Sequence, residues 1–244
     1  MRQRDLQILD SLDKFRCLTS SQIAALHFSG NANPKISCNR VLKRLTDTGY
    51  VTRNTNRSFQ DYIYFLNPAP IKKDSQKIDH YLVIAQGFID MSKYAIVYTY
   101  DVEDKPKGDS VKFRPDAYAE WLDNHWFIES QNSILSSSDL YKKIAKYSEW
   151  FHSDEWKDSL GLTTFPNLLI ISKTRLKFDP IDYPFKVTQI KSFVDLEPSI
   201  KAYQSRKLDR IRKEAKEIKE PRKANSGLEE GVKSSGGKIT FKLN

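Results

Sequence analysis

Apolar positions in the first part of the chain recur at helical spacing. Leu6, Leu9 and Leu12 fall on one side of a helical wheel, with Asp5, Asp13 and Lys14 on the other, which predicts an amphipathic helix from Arg4 to Phe15. A hydroxyl at Thr19 or Ser20 suits the N-cap of a second helix, Ser21 to His27, with Ile23, Ala24 and Leu26 turned inward. Gly30 to Pro34 reads as a turn. Pro34 then opens a third helix, to Thr48, because the first helical turn needs no N–H from it. Ile36, Val41, Leu42 and Leu45 form its expected buried stripe, while Lys35, Arg40, Lys43 and Arg44 point elsewhere. Gly49 supplies a left-handed C-terminal cap. Val51 to Arg53 and Asp61 to Leu66 then read as strands around the polar turn Asn54 to Ser58. Three helices followed by a strand pair predict an N-terminal winged helix-turn-helix over residues 1–66.

The pattern then breaks. Asn67 to Asp74 carries Pro68, Pro70 and two lysines, so residues 67–75 read as a linker. From residue 76 the apolar period is helical again, through Ile78, Tyr81, Leu82, Ala85, Phe88 and Ile89. Tyr94 to Tyr100, Val111 to Trp121 and Trp126 to Ser130 follow as strands, then a helix from Ser138 to Phe151 and a strand Asn167 to Ser172, with Val187 to Ile190 as a further edge strand. Helix, three strands, helix, strand is an α/β arrangement, which makes residues 76–201 a second domain with an αβββαβ core. Residues 202–244 turn polar and basic: a charged helical stretch through Lys219, then a Gly/Ser-rich segment Ser226 to Gly237. Disorder or a fraying helix is expected there.

Charge sharpens this picture. The 244 residues hold 40 Lys and Arg against 31 Asp and Glu, a net charge of +9 that favours polyanionic partners, nucleic acid first among them. Part of that excess lies in the solvated stretch Lys201 to Lys223. Cys17 and Cys38 match no paired zinc spacing, and His27, His80, His125 and His152 are scattered, which argues against structural zinc or a disulfide framework. Met1 to Asp10 lacks the apolar stretch of a secretory signal, and no window is apolar for long enough to span a membrane. A soluble, cytoplasmic protein is expected.

In the third helix Arg40, Lys43 and Arg44 stand three and four positions apart and project from neighbouring sectors of one surface. Such a surface fits the major groove of double-stranded DNA. Arginine bonds the acceptor edge of guanine in bidentate fashion, so Arg40 and Arg44 are the candidate base readers; Lys43, with Lys35, suits phosphate. Arg53 and Arg57 flank the hairpin turn, where a wing touches backbone or minor groove. The alternative is a solvated helix face in a protein–protein winged helix.

In the second domain Pro115 and Asp116 sit on a predicted strand, and Glu129 ends the next one, after the apolar run Trp126, Phe127, Ile128. Paired strands would bring the two carboxylates together, and Asp116 with Glu129 would offer oxygen ligands to Mg²⁺, which can activate water for phosphodiester hydrolysis. Two strand-end carboxylates without a metal are an equal alternative. His80 and His125 are candidate general bases, although a lone histidine on a mostly apolar helix is more often structural.

Over about Gln76 to Ser172 this pattern resembles the PD-(D/E)XK nuclease superfamily, with its Pro-Asp on one strand and acid-X-lysine on the next. The resemblance implies catalytic roles for Asp116, Glu129 and the residue at the lysine position. That residue is Gln131, which orients water but supplies no charge; Lys142 or Lys143 on the following helix is the substitute the superfamily suggests. Lys143 with Tyr147 also resembles a nucleic-acid-facing helix motif of exonuclease-like members. Taken together, Arg4 to Leu9, Arg40 to Leu45, Gly49 to Val51, Phe113 to Ala117 and Phe127 to Glu129 resemble, in their order, the replication-relaxation family of plasmids, phages and integrative elements. Family members often continue that last run with Val-Asp-Arg-Gly, where this chain has Ser130 to Ser133. The resemblance implies a DNA-binding protein acting in replication, mobilisation or transcription of a mobile element. Replication or mobilisation proteins and a second copy of the chain are its implied partners. No cofactor is required for DNA binding on this reading. A Mg²⁺-dependent endonuclease and a protein-interaction scaffold stay open beside it.

Overall fold

The computed structural model describes residues 1–54, 61–131, 136–172 and 183–219. The fold is mixed α/β. Helix α1 (Gln3–Phe15) leads into the short strand β1 (Leu18–Thr19), then α2 (Ser20–His27), α3 (Pro34–Asp47), β2 (Val51–Asn54) and β3 (Ile63–Leu66). The three strands form an antiparallel sheet in the order β1-β3-β2. Thr19 caps α2 by accepting from the Gln22 N–H at 3.1 Å. Gly49, at φ +77°, turns the chain out of α3, a conformation that costs glycine least.

Two expected helix stripes are displaced. In α1 the buried side is Asp5, Ile8, Leu12 and Phe15, and Leu6 is 43% exposed. Leu6 lies about 200° around the wheel from Ile8 at about 100° per residue, so the stripe at spacings of three and four excludes it. Asp5, expected on the solvent side, is buried for a reason of its own: its carboxylate accepts from the Arg2 N–H at 2.8 Å and pairs with Arg44 of α3 at 2.7 Å. In α3 the stripe is Cys38, Leu42 and Leu45, and Ile36 is 53% exposed.

Next come α4 (Ile78–Ser92), β4 (Val97–Val102), β5 (Ala117–Trp121), β6 (Asn124–Gln131), α5 (Ser137–Ser153), α6 (Glu155–Leu160), β7 (Asn167–Ser172) and β8 (Val187–Ile190). A short 3-10 turn (Phe193–Leu196) precedes α7 (Glu197–Lys219). Strands β4 to β8 form a second sheet in chain order, antiparallel from β4 to β6 and parallel from β6 to β8. The parallel β6–β7 step needs a crossover, which α5 and α6 supply. β5 begins at Ala117, not at Val111 as expected: residues 111–116 lie outside the ladder, where Pro115 has no N–H to contribute.

The sheet is covered on both faces. Ala117, Ala119, Trp121, Ile128 and Leu169 join α4 and the N-terminal helices in one continuous core, in which Phe15 of α1 lies 5.7 Å from Phe88 and 6.1 Å from Tyr100. Phe127, Leu168 and Ile170 face the other way, onto Leu140, Ile144, Tyr147 and Trp150 of α5. Met1–Tyr203 form one compact unit. Among the described residues no helix is long and apolar enough to cross a membrane.

Candidate nucleic-acid interface and acidic site

The solvent side of α3 presents Lys35, Ile36, Asn39, Arg40 and Lys43. This follows from the burial of Cys38, Leu42 and Leu45, which turns the intervening positions outward. A groove of about 470 Å³ separates this row from β2 and β3; Lys35, Asn39, Lys43, Arg53, Asp61 and Tyr62 are among its lining residues. Lys35 lies 3.3 Å from Asp61 and Lys43 2.6 Å from Asp47, both exposed pairs of small energetic weight. Arg53 lies over the Tyr62 ring at 5.0 Å. Arg40 is exposed and makes no ion pair among the described residues. Arg44 is exposed as well, but its guanidinium is paired with Asp5 of α1. Burial alone would raise the Asp5 carboxyl, but the Arg2 N–H and the Arg44 cation outweigh it and hold that group below its usual range. Arg57 lies outside the described residues.

The second cluster forms where the β5–β6 ladder ends. Ala117 faces Ile128 in the ladder, which sets Asp116 beside Glu129. Asp116 accepts from the Ser130 N–H at 2.6 Å, and its other oxygen is 3.5 Å from His80 Nε2. His80 also lies 3.6 Å from Glu103, which accepts from Tyr81 Oη at 2.9 Å. Glu129 is 1% exposed. Tyr147 Oη donates to one of its oxygens at 2.6 Å, and Lys143 Nζ sits 2.5 Å from the other. Burial, with the Asp116 charge nearby, pushes the Glu129 carboxyl up to about 7, against the pull of Lys143 and Tyr147.

Lys143, one of the two lysines that the resemblance offered in place of Gln131, thus reaches Glu129 from α5. Gln131 closes β6 opposite Ser172 of β7 and carries no charge to the acids. Lys142 turns to Asp139 at 3.8 Å. Tyr147 is buried against Phe113 and Phe127, so it is a core residue and does not face nucleic acid. His125 is removed from the acids: it lies four residues before Glu129 on one strand, about 13 Å away at strand rise, and its ring nitrogen meets Tyr118 Oη at 2.7 Å.

A hard divalent ion wants about six oxygen ligands, with carboxylates free to bind it. Here both Glu129 oxygens are taken, one by a cation already in place, and among the described residues no group of three or more His, Cys, Asp or Glu is arranged to hold a metal. The donor set does not fit such an ion unless Lys143 leaves. Sequence reasoning missed the surroundings of this site, a cleft lined by Lys105, Lys112, Arg114, Lys143 and Lys146 above Glu129. The signal was present: Lys112 and Arg114 alternate with the buried Val111, Phe113 and Pro115, and Lys143 and Lys146 share one side of α5.

The α/β chain thus carries a basic helix face at one place and a cation-rimmed acidic pair at another. The replication-relaxation family matches residues 9–165, and the chain belongs to that family. Comparison with curated proteins and with solved structures finds no match.

Proposed function

We propose that this replication-relaxation protein binds double-stranded DNA, with α1 to β3 acting as a winged helix-turn-helix and α3 as the recognition helix. The observation that carries the reading is the exposed row Lys35, Asn39, Arg40 and Lys43, set beside Arg53 of β2. Arg40 is the base reader, since it is the exposed arginine of the row without an intramolecular pair among the described residues; Lys35, Lys43 and Arg53 meet phosphates. The bound DNA belongs to a mobile element, as membership of the family suggests, and the protein acts there in replication, mobilisation or transcription.

The second half is read as a PD-(D/E)XK-like domain that does not cut. Its support is the order helix, three strands, helix, strand, together with Lys143 paired to Glu129. A pair that is already neutralised offers no open position for a metal-bound water. Incubating the protein with supercoiled and linear DNA, with and without Mg²⁺ or Mn²⁺, tests both halves. Retention without cutting is expected. Cutting that Asp116→Asn abolishes while binding persists would make the protein a nuclease; absence of retention would remove the DNA-binding reading.

A further inference from the structure

We propose that the basic cleft above Glu129 holds the phosphodiester backbone of a single nucleic-acid strand, as a second binding surface separate from α3. The inference rests on the DNA-binding reading only for its choice of polyanion; its geometry is independent of that reading. Two walls form the cleft. Lys105, beyond the end of β4, and Lys112 and Arg114, in the segment before β5, line one; Lys143 and Lys146 of α5 line the other. Five cations thus surround one carboxylate, and that carboxylate is Glu129, already held by Lys143.

Little inside the protein offsets this charge. Lys105, Arg114 and Lys146 are exposed and make no ion pair among the described residues. Lys112 meets Glu149 at 3.1 Å, but both side chains are more than half exposed, so the pair is screened and opens at little cost. Cations gathered on facing walls repel one another until a polyanion neutralises them, and a concave site focuses that field. The space is about 430 Å³, the size of a short run of sugar and phosphate from one strand. Its apolar lining, Val111 and Phe113, is buried, so no ring is offered for a base to stack on. Recognition therefore falls on the backbone and is indifferent to sequence.

The test uses the full chain and a ten-nucleotide oligothymidylate, which has no major groove for α3 to enter. Two variants are compared with the parent by fluorescence anisotropy across a salt series: K105A/K112A/R114A/K146A in the cleft, and K35A/R40A/K43A on α3. The cleft variant should bind the oligonucleotide at least tenfold more weakly at low salt. Its slope of log affinity against log salt should also flatten, by about 0.7 for each phosphate that the cleft no longer neutralises. The α3 variant should bind the oligonucleotide like the parent. Lys146→Glu alone should weaken binding in the same direction, which guards against a folding defect in the quadruple variant. Parent-like binding by both cleft variants overturns the proposal, as does displacement of the oligonucleotide by polyglutamate of matched charge at equal concentration. Failure of the DNA-binding reading is seen separately, as unchanged duplex affinity in the α3 variant.

Discussion

Replacing Glu129 by glutamine should make the protein more stable at alkaline pH and leave it nearly unchanged at acid pH. The carboxyl is buried, Tyr147 and Lys143 hold its two oxygens, and its pKa rises from 4.5 to about 7 in the folded chain. A folded-state value above the unfolded one means that the folded protein binds the proton more tightly. Stability is therefore full below about pH 4.5 and declines as pH rises through the window from 4.5 to 7. Between pH 5 and pH 8 the loss amounts to roughly 2.5 kcal/mol, taking 1.36 kcal/mol per pKa unit. Glutamine keeps an oxygen for Tyr147 Oη and removes the titration; Lys143, 31% exposed, can turn its ammonium to solvent. Urea unfolding of parent and Glu129→Gln at both pH values measures the difference directly. The variant should gain about 2–3 kcal/mol relative to the parent on going from pH 5 to pH 8, or roughly 5–10 °C in melting temperature for a unit of this size. Equal changes in the two proteins would refute the burial argument.

Asp116→Asn should move the midpoint of that pH step downward, because the Asp116 charge is the second contributor to the raised Glu129 pKa; the step is followed by the same unfolding series. Arg44→Ala should cost stability, about 1–2 kcal/mol, since it strands the buried Asp5 carboxylate while Arg44 itself is partly solvated. Arg40→Ala should leave stability unchanged and weaken duplex binding by roughly 1–3 kcal/mol at one sequence, read by competition between preferred and scrambled duplexes. Ending the chain at Tyr203 should preserve the cooperative unfolding of the first unit and flatten the salt dependence of DNA binding, because part of the basic stretch is gone.

Elements marked by strong local chemistry could be read from the sequence. Pro34 and Gly49 bracket α3, the apolar run Leu168 to Ile171 lies within β7, and Asp116 and Glu129 meet as the strand pairing required. The displaced stripes show why the rest was harder to see. Ile36 carries more apolar surface than Cys38, yet the helix phase set by Leu42 and Leu45 buries the cysteine. Asp5 reads as a solvent residue until Arg44, distant in sequence, is folded against it. A two-residue strand such as β1 has no period of its own and exists through its pairing with β3. Lys143 reached Glu129 by a route that strand spacing does not encode, and the cleft cations come from three separate segments.

The central claim is that α3 is the surface on which duplex DNA sits. Hydrogen exchange of the full chain, with and without a saturating duplex, tests it without altering a residue. Slowed exchange is expected at the exposed N-terminal turn of α3, where the first N–H groups lack helix partners, and in β2 and β3 beside Arg53. Slowing confined to α5 and β6, with α3 exchanging as in the free protein, would contradict the account.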